Sequence, residues 1–349
     1  MTTAGEIEVF DLSRIVKKPL VSVLMITYNH ADYLAEAIEG VVGQRCDFPF
    51  ELIIGEDAST DVTRQIAMDY QQRYPEVIHV IYSDANVGAS RNGARIFARA
   101  RGDFVAYCEG DDYWCTPDKL ARQVALIKDD PSISIVHGDW IRLHKRGAAW
   151  RIDPRGSVHR SVRMSFLQGD VFDTWYLPKI LRTCTVLLRR QTVQDLIDSG
   201  LARREYKFGD SVLNVFATGR GGVAYVPEII AVYRVSPNSA LRSGASARVA
   251  FYKSCLEFDD DALAYFTAQD REYGAGYRWE ANMSLLLWAL RAKDVRSAWF
   301  AIKDMIGHFG VLQFATLGWK SVRMRLPMLR HWTRTFPIDP GKSPTRVVQ

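Results

Sequence analysis

Apolar, β-branched runs punctuate the first part of the chain at 21–28, 50–55, 78–82, 104–107 and 133–136. The segments between them, roughly 31–42, 61–74, 90–101 and 117–128, carry their apolar residues at helical spacing instead. Strand and helix alternating at this rhythm predict right-handed crossovers and a mostly parallel sheet covered on both faces. Helix starts are marked by Asn29, by the 57–61 stretch with Ser59, Thr60 and Asp61, and by Thr116 ahead of Pro117. In such a sheet ligands bind beyond the carboxyl ends of the strands, so the residues that follow each run carry the most functional information.

From about residue 151 the rhythm changes. Gly156, Gly169, Trp175, Tyr176 and Pro178 punctuate a loop-rich stretch. Helical spacing returns at 192–199 and 210–218, and a strand-like stretch at 223–235 contains Pro227. From 245 to about 332 the period is helical and rich in Ala, Leu and Trp. The pattern therefore predicts an α/β domain followed by a helical C-terminal region.

The chain has 349 residues, more than one comfortable core. Apolar residues are 48% of it, aromatic residues 11% and charged residues 24%, which excludes a disordered, collagenous or low-complexity chain. No apolar run approaches the ~18–20 residues of a membrane-spanning helix. The first fourteen residues are polar and acidic, so no secretory signal is expected there. Five cysteines (Cys46, Cys108, Cys115, Cys184, Cys255) form no C-x-x-C pair and read as reduced thiols, which suits a cytoplasmic location.

Charge is unevenly spread. The net value is +5, yet from Arg291 onward there are 11 Lys/Arg against 3 Asp/Glu, which leaves residues 1–290 at −3. An acidic main domain is a poor generic binder of nucleic acid, whose affinity comes mainly from phosphate neutralisation. The basic tail, with Lys320, Arg323, Arg325, Arg330 and Arg334 among Trp319, Leu326, Leu329 and Trp332, suits either a solvated helical face or an anionic membrane surface. Peripheral contact with the inner face of the cell membrane is one expectation from it.

Chemistry collects at the ends of the runs. The first ends in Thr27-Tyr28-Asn29-His30 and the second in Glu56-Asp57-Ala58-Ser59-Thr60-Asp61. The third leads into Asn86-Val87-Gly88 and Arg91-Asn92, and the fourth into Glu109-Gly110-Asp111-Asp112-Tyr113-Trp114. Carboxylates gathered at one sheet edge repel unless donors or a cation sit among them. Glu109, Asp111 and Asp112 on one turn suit a hard divalent ion such as Mg²⁺ or Mn²⁺. One acidic strand end alone is more often a helix cap; three along one edge favour a site.

In this order, and ending in Asp-Asp-x-Trp-x-x-Pro-x-Lys-Leu, these motifs resemble a family 2 glycosyltransferase over about residues 19–238. The resemblance implies a GT-A fold, a Rossmann-like mostly parallel sheet with helices on both faces, and inverting, metal-dependent transfer from a nucleotide sugar. It implies an N-terminal extension at 1–18, the catalytic domain at 19–244 (nucleotide-sugar half 19–140, acceptor half 141–244) and a helical, basic region at 245–349.

Carried over residue by residue, the resemblance puts Thr27, Tyr28, Asn29 and Asp57 at the nucleoside. Asp57 would accept the imide N–H of a uracil or thymine ring. Arg91 would lie near the donor diphosphate or base. Asp111 and Asp112 match the D-x-D-type signature, with Asp112 the first choice as ligand of Mn²⁺ or Mg²⁺ and Asp111 beside it. Phe208-Gly209-Asp210-Ser211 resembles the segment that supplies the catalytic base, hence Asp210. Tyr233-Arg234-Val235-Ser236 resembles a closing segment, with Ser236 where relatives often carry His.

Transfer from a nucleotide sugar needs a cation against the leaving diphosphate and a carboxylate to take the acceptor's proton. The implied function moves a sugar, from a UDP-sugar by preference, to a glycan or lipid-linked acceptor in cell-surface polysaccharide synthesis. The alternatives are a catalytically silent nucleotide-sugar-binding protein or a nucleotide-sugar pyrophosphorylase. The latter would want a Gly-rich, basic loop after the first strand, and His30-Ala31-Asp32 offers none. His30 and His137 read as structural histidines, Cys108 as a small buried thiol, and Thr183-Cys184-Thr185 as a weak candidate for the acceptor side.

Overall fold

The computed structural model describes residues 6–11, 13–146, 149–154, 156–160, 162–176, 180–201, 206, 208–235 and 244–330, with backbone only at Arg146 and over 319–330. The chain divides into two compact units. The first comprises Met1–Val171, Pro178–Ser199 and Phe216–Val235; the second comprises Phe172–Leu177, Gly200–Val215 and Ser236–Gln349.

The first unit is one ten-stranded sheet with helices. Its elements in chain order are β1 (Glu6–Val9), β2 (Val21–Thr27), α1 (Leu34–Val42), β3 (Phe50–Glu56), α2 (Thr63–Arg73), β4 (Ile78–Ser83), α3 (Ala89–Phe97) and β5 (Phe104–Tyr107). Then come β6 (Tyr113–Trp114), α4 (Lys119–Ile127), β7 (Ile133–Arg146), β8 (Ala149–Ile152), β9 (Leu187–Arg189), α5 (Arg190–Ser199), α6 (Asp210–Arg220, in the second unit as far as Val215) and β10 (Gly222–Val235). The strand order is β1-β4-β3-β2-β5-β9-β7-β10-β6, with β8 paired to β7.

The β4-β3-β2-β5 half is parallel, as the alternation of runs and helical stretches predicts. Val21, Val23, Leu24 and Met25 are all buried, because crossover helices cover both faces and leave no strand face for water. Beyond β5 the arrangement is mixed. β9 runs antiparallel between β5 and β7, while β10 runs parallel to β7. Pro227 lies where the β7–β10 register shifts between Val226 and Ile229, an irregularity that spares the ladder the missing N–H.

Three features escape the apolar pattern. The polar segment Glu6–Val9 forms an antiparallel edge strand on β4, held by Arg99 pairing with Glu6 and Glu8. The run at 133–136 is only the start of β7, whose remainder alternates and is stabilised by pairing with β10 and β8. Ser22 and Glu51 are buried side by side in β2 and β3, where Arg101 closes the carboxylate. A buried charge survives here because it is paired.

In the second unit, α7 (Ala245–Thr267), α8 (Gly276–Arg291) and α9 (Val295–Arg330) follow in order. α9 breaks at Gly310, whose φ of 76° is left-handed. Arg278 is buried at the centre of this unit against Asp259, Asp260 and Asp304. Among the described residues no helix is long and apolar enough to cross a membrane.

Candidate active site

The loop after β2 is tied to the loop after β3 by side chains that sequence patterns mark as helix caps. Asn29 takes a left-handed φ of 54°, which Asn tolerates. Its amide donates to Ser59 Oγ at 3.0 Å and its Oδ1 accepts from the Thr60 amide at 2.8 Å. His30 N donates to Thr63 Oγ1 at 2.8 Å, and Ala31 N to Asp61 Oδ2 at 3.2 Å. The capping expectation holds at α2, where Asp61 Oδ1 accepts the Thr63 amide at 2.9 Å, and is corrected at the other starts. α1 and α4 are preceded by Tyr33 and Asp118, neither with a side-chain cap bond. The short polar side chains spend their bonding between loops instead.

Asp57 is almost wholly buried, at 3% exposure. Its two oxygens accept the Val87 and Gly88 amides at 2.8 and 3.0 Å, and Asn86 Nδ2 donates to its carbonyl at 3.0 Å. Asp57 thereby fixes the loop between β4 and α3. Each oxygen keeps a lone pair for a further donor. Glu56 is buried beside it and closed by Arg64 at 2.7 Å and the Ser59 amide at 2.6 Å, a structural role. Arg91 stands exposed on α3. From α3 it is Arg95 that reaches the strand ends, donating to Glu56 O, Ser83 Oγ and Asn92 Oδ1.

The acidic turn seats directly on the end of β2. Gly110 N donates to Ile26 O at 3.0 Å. A Cβ on Gly110 would lie 2.7 Å from Thr27 Oγ1 and 3.0 Å from His30 Nδ1, so only glycine allows this approach. Thr27, the Glu109–Asp112 turn and His30 are thus brought together. His30 Nδ1 lies 3.3 Å from Thr27 Oγ1. Burial lowers the His30 pKa, while the charges of Asp111 and Asp61 oppose that shift. The structure therefore adds His30 to the neighbourhood of the turn, where sequence spacing left it a structural residue.

Asp112 is 1% exposed. Its Oδ1 accepts the Arg234 amide at 2.9 Å, and its Oδ2 is buried without a hydrogen-bond partner. Burial, reinforced by the charge of Asp111, pushes its pKa up to about 8, against the pull of the Arg234 amide and the Arg182 charge. Arg234 Nη1 donates to Asp111 O at 3.0 Å, and Nη2 pairs with Glu36. Arg182 lies over the Tyr233 ring at 4.0 Å. Neither arginine was singled out as a site residue by the sequence motifs. Arg234, buried and pairing with Asp112 across 122 positions, leaves no local spacing to read.

The same turn is braced from behind. Trp114 Nε1 donates to Cys184 O at 2.8 Å, and β6 pairs antiparallel with Ala231 and Val232 of β10. Lys119 is fully buried, with Nζ 3.9 Å above the Trp114 ring and 2.6 Å from Gln123 Oε1. Trp114 and Cys108 belong to the core. Cys184 and Thr185 are also buried, so the Thr183–Thr185 turn packs under the acidic turn and its suggested acceptor-side placement is withdrawn.

Asp210 belongs to the second unit and opens α6, exposed, with Oδ1 accepting the Ser211 amide at 2.8 Å. Ser236 lies outside the described residues. Among the described residues no group of three or more His, Cys, Asp or Glu is arranged as a metal cage. Asp111 and Asp112 nonetheless offer adjacent carboxylates, one with an orphaned buried oxygen. That donor set fits a hard cation that takes one or two carboxylates and leaves its other positions to water and phosphate.

Residues 22–194 match the family model described as glycosyl transferase family 2. Over these residues the chain belongs to that family. The uncharacterized protein Rv1520 of Mycobacterium tuberculosis is 32% identical over 233 residues, 67% of this chain and 64% of its own length. The match therefore spans less than two thirds of that relative. Staphylococcus aureus TarS, a poly(ribitol-phosphate) β-N-acetylglucosaminyltransferase, is 28% identical over 167 residues, 46% of this chain and 27% of TarS. A crystal structure of TarS with UDP-GlcNAc superposes with a TM-score of 0.51 at 17% identity, covering 80% of this chain and 90% of that one. The mannosyltransferase PcManGT of Pyrobaculum calidifontis, solved with GDP-Man and Mn²⁺, superposes with a TM-score of 0.54 at 17% identity, covering 93% and 86%. At such identities the two structures establish the GT-A-like α/β fold of this chain and nothing finer.

Proposed function

We propose that this family 2 glycosyltransferase moves a sugar from a nucleoside diphosphate sugar to a glycan or lipid-linked acceptor, with inversion, in cell-surface polymer synthesis. The observation that carries the proposal is the acidic turn pressed onto the end of β2, with an orphaned oxygen on Asp112. A UDP-sugar is favoured because TarS, similar in sequence and fold, was solved with UDP-GlcNAc. The TarS name also motivates the cell-surface polymer.

In this reading Thr27, Tyr28, Asn29 and Asp57 receive the nucleoside. Asp57 already holds two backbone amides and is oriented by them, so it accepts a base N–H without reorganising. Asp112, with Asp111 beside it, would hold Mn²⁺ or Mg²⁺. Such a cation, when bound, neutralises charge on the departing diphosphate. Arg91, exposed on α3, is free to reach phosphate or base. Asp210 takes the proton of the attacking hydroxyl, an assignment that stands on its motif and its exposure. His30 and Arg182 add polar and cationic groups beside the turn.

Two variants test the assignment with donor, acceptor and Mn²⁺ supplied. Asp112→Asn should cut transfer by about 10²–10³-fold. Asp210→Asn should keep donor affinity and lose about 10²–10⁴-fold in turnover. Turnover within tenfold of wild type in either variant rejects the role given to that residue.

A further inference from the structure

The corner where α8 meets α9 presents large apolar side chains to solvent, with no partner among the described residues. Leu290 is 62% exposed, Val295 78%, Trp299 65% and Phe300 48%. In the first half of α9 the exposed positions are 295, 296, 299, 300, 303 and 307, recurring at i, i+4 along one face. The opposite face, with Ala298, Ala301, Met305 and Phe309, is buried in the core of the unit. The exposed face is therefore a surplus, since α9 already has its inward stripe.

Its remaining positions are Arg296, Lys303 and Gly307, two of them cationic. Arg296 and Lys303 lie on the exposed face of α9, and Arg291 and Lys293 are exposed at the corner that precedes it. Of the acids in this stretch, Asp294 caps the start of α9 at the corner itself and Asp304 is paired in the interior. Asp294 accepts Ser297 N and Oγ at 3.0 and 2.5 Å, and Asp304 is taken by Arg278 and Asn282. The sequence beyond Asp304 contains no acid before Asp339.

We propose that this corner docks on an anionic lipid bilayer. Tryptophan and phenylalanine beside Lys and Arg on one helical face match an interfacial helix, whose rings enter the headgroup region while its cations meet anionic lipid. A second copy of the chain fits worse, because it would set four cations against four. The surface would bring a lipid-linked acceptor to the enzyme, in which respect it rests on the proposed function; docking itself requires neither donor nor catalysis.

Flotation of the full-length chain with vesicles tests this, without nucleotide sugar or acceptor. The chain should float with phosphatidylcholine vesicles containing 30% phosphatidylglycerol and stay behind with phosphatidylcholine alone. Each cation is worth about fivefold in partitioning, so Arg296→Gln with Lys303→Gln should lose about 25-fold. Trp299→Ala with Phe300→Ala should lose at least tenfold while both doubles melt as wild type does, since every altered side chain is exposed. Absent flotation, flotation indifferent to phosphatidylglycerol, or doubles that float as wild type does overturn the proposal. So does concentration-dependent dimerisation that the Trp299/Phe300 double abolishes, which would assign the face to a second copy.

Discussion

An ammonium group with no access to water costs several kcal/mol unless it sheds its proton, and Lys119 is placed that way. Burial lowers its pKa to about 7. Below that value the protein folds around a charge; between there and the ordinary lysine value the proton is released on folding. Lys119 therefore makes stability rise with pH over that window, by up to about 1.4 kcal/mol per pH unit. Asp112 acts in the opposite sense, since a raised carboxyl pKa favours folding at low pH and loses that contribution as pH climbs through about 8. Comparing urea unfolding of wild type and Lys119→Met from pH 6 to 10 isolates the lysine. The variant should be relatively more stable at pH 6, with the difference shrinking towards pH 10. Parallel profiles would contradict a buried, depressed lysine. This pair also marks the limit of residue-scale reading. Asp111 and Asp112 were legible because their motif is local, whereas Lys119 announced itself only as part of a motif and gave no sign of being buried against Trp114.

Elements meet at the site through one missing side chain. β2, the loop carrying His30 and the turn after β5 converge on Gly110, whose absent Cβ leaves room for Thr27. Gly110→Ala should cost about 1–3 kcal/mol through overpacking. Adding Thr27→Ala, which removes the nearest atom, should restore part of that, and denaturant unfolding of the two singles and the double measures the coupling. Strict additivity would mean the turn does not rest on Thr27. Helices and parallel strands in this half were readable from period alone, because buried β2–β5 demand continuous apolar runs and their crossovers demand amphipathic helices. β1, most of β7 and the antiparallel insertion of β9 were not. β1 and β7 are polar or alternating and β9 is only three residues long, and all three become strands by pairing with neighbours distant in sequence.

For the whole molecule, the decisive measurement is binding by the native state. A nucleotide sugar held at a hundred times its dissociation constant should stabilise the chain by about 2.7 kcal/mol, seen as a rise in melting temperature. With UDP-GlcNAc the rise should need Mn²⁺ in wild type and shrink in Asp112→Asn. A shift of equal size with and without the cation would remove Asp111 and Asp112 from donor binding. The two-unit organisation bears on how such data are read, since α6 opens in one unit with Asp210 and ends in the other.

Local periodicity and short motifs were enough to establish the α/β class and to point to the family, because crossover geometry and phosphate chemistry both write themselves into neighbouring residues. Tertiary structure alone decided that Asp57 is buried under the 87–88 amides, that Arg95 reaches the strand ends while Arg91 stays in solvent, and that Arg234 closes over the acidic turn. It also decided which side of α9 is left uncovered. Such facts depend on which distant surfaces meet, and burial is set by the partners a residue finds rather than by those it follows in the chain.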